Sequence, residues 1–259
     1  MAAPRKPEDD PAASSRQTSP PVVGLLLAAG RGRRFDPHGR ADKLLQRVPT
    51  VDARVPTVDS RDPSVDARGP SVDARGPPSR ALGPGRHTTG DVVAARACDA
   101  LMAACSTVVA VVRPGAGALG DRLTAHGATV VTCDAADLGM GHSLAAAAAA
   151  AVQRFAPGAV AILPADMPWL APGTATALVA AWRAAARAGR GASAIVAPRC
   201  GGRRGHPVIV GAAHFGALLA LRGDRGARDI LEAHPVDWVD VDDPGILRDV
   251  DTPEDLRRP

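Results

Sequence analysis

The stretch Leu25–Phe35 reads LLLAAGRGRRF, and Lys43 follows shortly after it. The apolar run Val22–Ala28 delivers the chain into a turn of small residues, Ala28, Ala29 and Gly30, where backbone N–H groups have room to approach a ligand. Arg31, Arg33, Arg34 and Lys43 then place cations beside that turn. Free N–H groups and fixed positive charge around one turn are suited to holding a polyphosphate. The candidate phosphate loop is therefore Leu27, Ala28, Ala29, Gly30, Arg31 and Gly32, with Lys43. It is not a Walker A loop, because GxxxxGK[ST] is absent, and a GxGxxG dinucleotide fingerprint would need glycine where Phe35 stands. That weighs against a Rossmann oxidoreductase. Of the 31 basic residues only Lys6 and Lys43 are lysines, and Lys6 falls in the N-terminal stretch. A chain that otherwise uses arginine places the one lysine of its body beside this loop.

Such a loop needs a scaffold, and the remaining sequence alternates strand and helix signals. Val22–Ala28 is a continuous apolar run, as expected of a strand buried on both faces of a parallel sheet. Further strands are expected at 107–112, 128–132, 159–163, 193–197 and 207–210. Helices are expected at 91–105, capped within Thr89–Asp91, at 117–126, at 142–155 and at 174–188. This alternation predicts an α/β fold, a three-layer α/β/α sandwich around a mostly parallel sheet.

Composition sets the limits of that fold. Hydrophobic residues make up 46% of 259, yet there are only three Phe, three Trp and no Tyr, so the core must be built from Ala, Val and Leu. The 27 Gly and 24 Pro exceed what one compact domain needs, and two stretches hold much of the excess. Residues 1–20 are rich in Pro, Ala, Ser and charge and read as a disordered tail. A second stretch, at about 48–88, repeats VPTVDAR, VPTVDSR, DPSVDAR and GPSVDAR. Each heptad carries a proline, which costs about 3 kcal/mol inside a helix, so the period of seven is not a coiled coil. It reads as a flexible surface insertion interrupting one domain at 21–259.

The net charge of +4 comes from scattered basic residues with almost no aromatic platforms, which argues against nucleic-acid binding. No apolar run reaches the roughly 18 residues of a membrane span, and the N-terminus lacks an apolar leader, so a cytoplasmic protein with no membrane partner is expected. Cys98, Cys105, Cys133 and Cys200 are scattered without metal-ligand spacing and read as buried or incidental thiols.

Six segments carry a family resemblance. LAAGRGRRF with the following DKLL resembles the nucleotidyltransferase signature LAAGxxxRxG…K. GMGHSL (139–144), LPADMPWL (163–170), RRGHPVIV (203–210), GDRGAR (223–228) and DVDTPEDL (249–256) resemble the branch that includes molybdenum cofactor cytidylyltransferases, MobA-like proteins among them. They occur in the expected order and span nearly the whole body of the chain. Two departures stand out: the stretch between Phe35 and Lys43 is longer than usual, and the heptad insertion follows soon after Lys43.

The resemblance implies a Rossmann-like nucleotidyltransferase in which an acceptor attacks the α-phosphorus of an NTP and pyrophosphate leaves. It implies Lys43, Arg34 and Asp166 as catalytic residues and Mg²⁺ as cofactor. Asp166 follows an apolar strand, where open α/β sheets collect ligands, and a carboxylate there can hold Mg²⁺. It also reads as a turn residue before Pro168. Asp251 is the second candidate metal ligand, and equally a helix start with Pro253 in the first helical position; Asp249 ranks behind both. Gly141, His142, Ser143, His206 and Arg228 are implied at the acceptor end, with N-capping open for His142 and Ser143, a structural role for His206 and a turn or helix start for Arg228. The LAAG turn resembles cytidylyl more than guanylyl members. The expected reaction is therefore CMP transfer from CTP to a phosphorylated acceptor, molybdopterin foremost, with a molybdenum hydroxylase as a possible partner protein. Alternatives are a transferase with another small acceptor, a non-catalytic delivery protein, or an oxidoreductase-type relative.

Overall fold

A computed structural model describes residues 20–49 and 91–257. All of the expected tail but Pro20, the cap at Thr89 and almost all of the heptad repeat lie outside the described residues. The described chain runs β1 (Val22–Ala28), α1 (Val93–Met102), β2 (Thr107–Val112), α2 (Gly117–Ala125), β3 (Thr129–Thr132), α3 (Met140–Phe155) and β4 (Ala159–Pro164). It continues through α4 (Pro172–Arg187), β5 (Ile195–Cys200), β6 (Arg203–Arg204), β7 (Val208–Gly211), α5 (Phe215–Leu219), α6 (Arg228–Ala233) and β8 (Asp237–Asp240).

The strands form one mixed sheet in the order β3-β2-β1-β4-β7-β5-β6, with β8 added to β5. The half from β3 to β4 is parallel. β7 enters antiparallel between β4 and β5, and only the β5–β8 pairing restores a parallel ladder. The two faces of β1 divide the core, as the two-residue period of a strand requires. Val22, Leu26 and Ala28 join the cluster under α1, α2 and α4, whereas Val23 and Leu25 join the cluster under α3, α5 and α6. Helices on both faces make the three layers. Leu144, Ala147, Ala148 and Ala151 form the buried stripe of α3, and the alanines let this helix approach the sheet closely. No helix among the described residues is long and apolar enough to cross a membrane.

Helix α1 is shorter than its periodicity predicts, because its first expected residues are extended instead. Arg47 bridges Val92 in antiparallel fashion, Val48 N donates to Asp91 O at 3.1 Å, and Val93 N donates to Gln46 O at 2.9 Å. The helix therefore starts at Val93, with no side-chain cap on Val92. Val48, the first residue of the expected insertion, packs in the core at 2% exposure. The two ends of the stretch between 49 and 91 thus meet. At the other terminus the helix start that is the alternative reading of Asp251 does not form: a turn and a single 3-10 turn at Asp255–Arg257 stand there.

From β1 the chain builds outward to β2 and β3, then returns to place β4 on the other side of β1. The carboxyl ends of β1 and β4 consequently flank a crevice at a topological switch point.

Candidate active site

Two loops open on this crevice. After β1 the chain turns through Ala29–Gly32, with Gly32 at φ +60°, a left-handed conformation that glycine adopts without penalty. A Cβ there would also stand 3.2 Å from Lys43 Cγ. Lys43 begins a 3-10 turn, Lys43–Leu45, capped by Asp42, whose Oδ1 accepts from Leu44 N at 3.0 Å. Arg113, just past the carboxyl end of β2, ties loop and turn together: Nη1 donates to Gly30 O and Nη2 to Asp42 Oδ2, both at 3.0 Å. Asp36, which occupies the last glycine position of the LAAGxxxRxG pattern, accepts from His38 N and Ala41 N at 2.8 and 2.7 Å. Those backbone bonds hold its carboxyl below the usual range and fold the longer stretch before Lys43 into a compact turn.

Asp166 follows β4. Its backbone carbonyl accepts from Val250 N at 2.8 Å, which brings the 249–251 segment alongside. One carboxylate oxygen from each of Asp166, Asp249 and Asp251 lies within 4.8 Å of the others. Lys43 reaches into this group. Its Nζ donates to Asp166 Oδ2 at 2.7 Å and to Val250 O at 2.9 Å, and stands 3.6 Å from Asp251 Oδ1. Arg34 approaches from solvent, Nη1 donating to Asp251 Oδ2 at 2.7 Å. The Asp249 carboxyl is held above its usual range, chiefly by burial and then by the charges of Asp166 and Asp251, with Lys43 pulling the other way. Three acids that crowd around one ammonium fit a divalent cation, which takes hard oxygen ligands and relieves their repulsion.

One cleft opens at Asp166 and a second, larger cavity adjoins it. A cleft of about 470 Å³ is lined by Leu27, Ala29, Gly30, Arg31, Arg33, Ser143 and Asp166, among others. Asp137 closes its rim through a two-pronged pair with Arg31, Nε donating to Oδ1 at 2.6 Å. A larger cavity of about 710 Å³ shares Leu27, Met140, Pro164 and Asp224 with the cleft. His206 and Arg228 line it, with an apolar wall that includes Leu144, Ile162 and Val208. His206 Nδ1 is buried there without a hydrogen-bond partner among the described residues. Burial lowers the pKa of this ring, against the opposing pull of the Ile162 backbone and Asp166.

Most of the predicted site residues therefore converge. Leu27, Ala29, Gly30, Arg31, Ser143 and Asp166 line the cleft, while Ala28 is buried behind it. Lys43, Arg34 and Asp251 meet at the acids. Gly141 and His142 line neither cavity. Gly141 N donates to Gly223 O at 2.8 Å, and a Cβ on it would lie 2.6 Å from Arg225 O, so this glycine joins the GMGHSL and GDRGAR loops by close approach. The helix-capping reading of His142 and Ser143 does not hold, because Gly139 takes the N-cap position of α3 and no side chain caps it. Arg228 is bound to Glu232 Oε1 at 2.7 Å. Sequence reasoning missed Asp137 and Arg113, which act through partners far away in the chain, and it ranked Asp249 behind Asp166 and Asp251, whereas the structure groups all three. A DxD spacing in a loop was the available signal for Asp249.

A model of the MobA-like NTP transferase domain matches residues 86–238, a span that includes Asp166 but neither the phosphate loop nor the 249–251 acids. No curated protein matches. Among solved structures, Rv0371c from Mycobacterium tuberculosis H37Rv is 22% identical with a TM-score of 0.62, over 92% of this chain and 97% of that one. Rv0371C has also been solved in complex with manganese, and that structure aligns with a TM-score of 0.58 at 22% identity over the same shares. A nucleotidyl transferase from Methanothermobacter thermautotroptrophicus, Mth528, is 18% identical with a TM-score of 0.61 over 92% and 95% of the two chains. These likenesses are of fold.

Proposed function

The chain belongs to the MobA-like NTP transferase domain family, and on that premise we propose that it is a metal-dependent nucleotidyltransferase that moves CMP from CTP to a phosphorylated acceptor of the molybdopterin type. The observation that carries this reading is the seating of Lys43 among Asp166, Asp249 and Asp251 at the mouth of an arginine-edged cleft that opens into a second cavity. One cavity for the nucleotide and one for the acceptor, meeting beside a cation site, is what a two-substrate phosphoryl transfer requires.

In this reading the phosphates lie along the Leu27–Gly32 loop, where Arg31 and Arg33 neutralise them once Arg31 leaves Asp137. Asp166, Asp249 and Asp251 hold the divalent cation, Mg²⁺ in the expected case, which when bound offsets charge on the phosphate oxygens. An acceptor phosphate oxygen attacks the α-phosphorus, the bond to the bridging oxygen breaks, and pyrophosphate carries away the electron pair. Lys43, whose ammonium is already committed to Asp166 and Val250, fixes the carboxylates and adds positive charge beneath them. No side-chain nucleophile is needed.

Pyrophosphate release tests the reading, with CTP, GTP or ATP, with and without molybdopterin, on the full chain and on Asp166→Ala. Release with CTP that requires acceptor and disappears in the variant is expected. Release unaffected by Asp166→Ala, or none with any nucleotide and acceptor, overturns it.

A further inference from the structure

The larger cavity contains three arginines, but two of them are already satisfied. Arg225 Nη1 donates to Asp229 Oδ2 at 2.8 Å and Arg228 Nε to Glu232 Oε1 at 2.7 Å, each one helical turn along the chain. Asp229 and Glu232 line the same cavity, so this wall is close to neutral. The side chain of the third, Arg204, has no hydrogen-bond or ion-pair partner among the described residues. Beside it the cavity adjoins a recess of about 560 Å³ lined by Arg199, Gly202, Arg203, Arg204 and Trp238; Arg204 and Trp238 belong to both.

The hairpin of β5 and β6 builds this recess. Arg199 pairs with Arg204 and Cys200 with Arg203 across a turn whose Gly201 and Gly202 have φ of +56° and +76°. β8 runs parallel on β5 and places Trp238 opposite Ala197. Trp238 is 38% exposed, one of three large apolar side chains on the surface of the described residues. Arg199 stacks on its ring at 5.8 Å and is itself paired with Asp240. Arg203, like Arg204, has no acidic partner among the described residues. Two uncommitted guanidinium groups beside an exposed indole recognise a planar group that carries negative charge: the ring face takes the plane and the fork takes the anion.

We infer that the acceptor extends beyond the cavity past Arg204, laying a planar, anionic end on Trp238, with Arg203 and Arg204 holding its charge. Recognition of the distal charge thus belongs to Arg204 and Arg203 rather than to Arg228. The inference rests on the transfer reading only in calling the cavity the acceptor's, and it is tested by binding alone.

The test titrates the full chain with pterin-6-carboxylate and with uncharged pterin while following tryptophan emission. Quenching by both is expected in the wild type, with the carboxylate binding at least about tenfold more tightly. Arg203→Ala with Arg204→Ala should erase that preference and leave pterin affinity unchanged, and Trp238→Phe should remove most of the quenching. Failure of the wild type to bind either probe, equal affinity for the two, or a preference that survives the double arginine variant overturns the proposal. So does binding of an acidic peptide in place of the pterins. Pyrophosphate release is measured separately: its absence alongside the expected binding counts against the transfer reading only.

Discussion

Lys43 Nζ donates to Asp166 Oδ2 at 2.7 Å across 123 residues of sequence, and the side chains of the two are only 10% and 21% exposed. The pair welds the turn after the phosphate loop to the loop after β4, so the two carboxyl-edge segments behave as one piece. Lys43→Ala and Asp166→Ala should each lower the turnover number by about 100-fold or more, as loss of a fixed charge at a phosphoryl-transfer site does. The double variant should be scarcely worse than either single one, because each has already broken the same unit. Steady-state pyrophosphate release at saturating nucleotide measures this, and multiplicative losses would show that the residues act independently.

The Asp249 carboxyl is held above its usual range, chiefly by partial burial and then by the charge of Asp166, with a further push from Asp251. A divalent cation competes with protons for these carboxylates, so metal affinity should weaken as pH falls into the carboxylate range. Asp249→Asn should raise the metal concentration for half-maximal activity by roughly tenfold or more and flatten its pH dependence. Activity at saturating metal should largely recover. Metal titrations at two pH values read both effects, and an unchanged half-activating concentration removes Asp249 from the cation site.

The contrast between these acids shows what the sequence conveys. β1 and β2 match their expected bounds to the residue, because continuous apolar runs that end in turns have few other solutions. Asp166 was legible for the same reason, following such a run directly. Asp251 was ambiguous, since Asp-Thr-Pro begins helices elsewhere. Here Asp255 Oδ2 instead accepts from Asp251 N, Thr252 N and Thr252 Oγ1, which makes a turn and leaves the Asp251 carboxylate to face Arg34 and Lys43. The antiparallel β7 was read as a strand but not as the reversal that makes the sheet mixed. Strand direction is set by tertiary connection rather than by local pattern. Likewise nothing local announces that Arg31 and Asp137 meet across the cleft.

Arg113 is a positioning residue of the same tertiary kind. Its two terminal nitrogens reach Gly30 O and Asp42 Oδ2 simultaneously, and a planar fork is what permits both bonds. Arg113→Ala should raise KM for the nucleotide about tenfold with a smaller effect on kcat, since the loop that holds the phosphates loses its brace. Arg113→Lys should fail to rescue it, because one ammonium cannot reproduce the fork. Kinetics of both variants, alongside melting curves that report folding, test the point. Full rescue by lysine, or an unchanged KM, contradicts it.

His206 links the larger cavity to stability. Its ring has a folded pKa below the ordinary 6.5, because burial outweighs the pull of the Ile162 backbone and Asp166, and Nδ1 has no hydrogen-bond partner among the described residues. The unfolded chain therefore takes up a proton at this position before the folded one does. As pH falls through 6.5 toward the lowered folded value, the unfolded state gains protons and stability declines, with a limiting slope of about 1.4 kcal/mol per pH unit for one site. His206→Asn removes the titration while keeping a polar side chain. Urea unfolding at pH 7.5 and 5.5 should show the wild type losing more stability on acidification than the variant. An equal loss in both proteins would mean that the His206 ring is solvated enough to accept its proton in the folded state. An acceptor that bonds to Nδ1 would then meet an imidazolium, rather than a neutral ring, in mildly acidic solution.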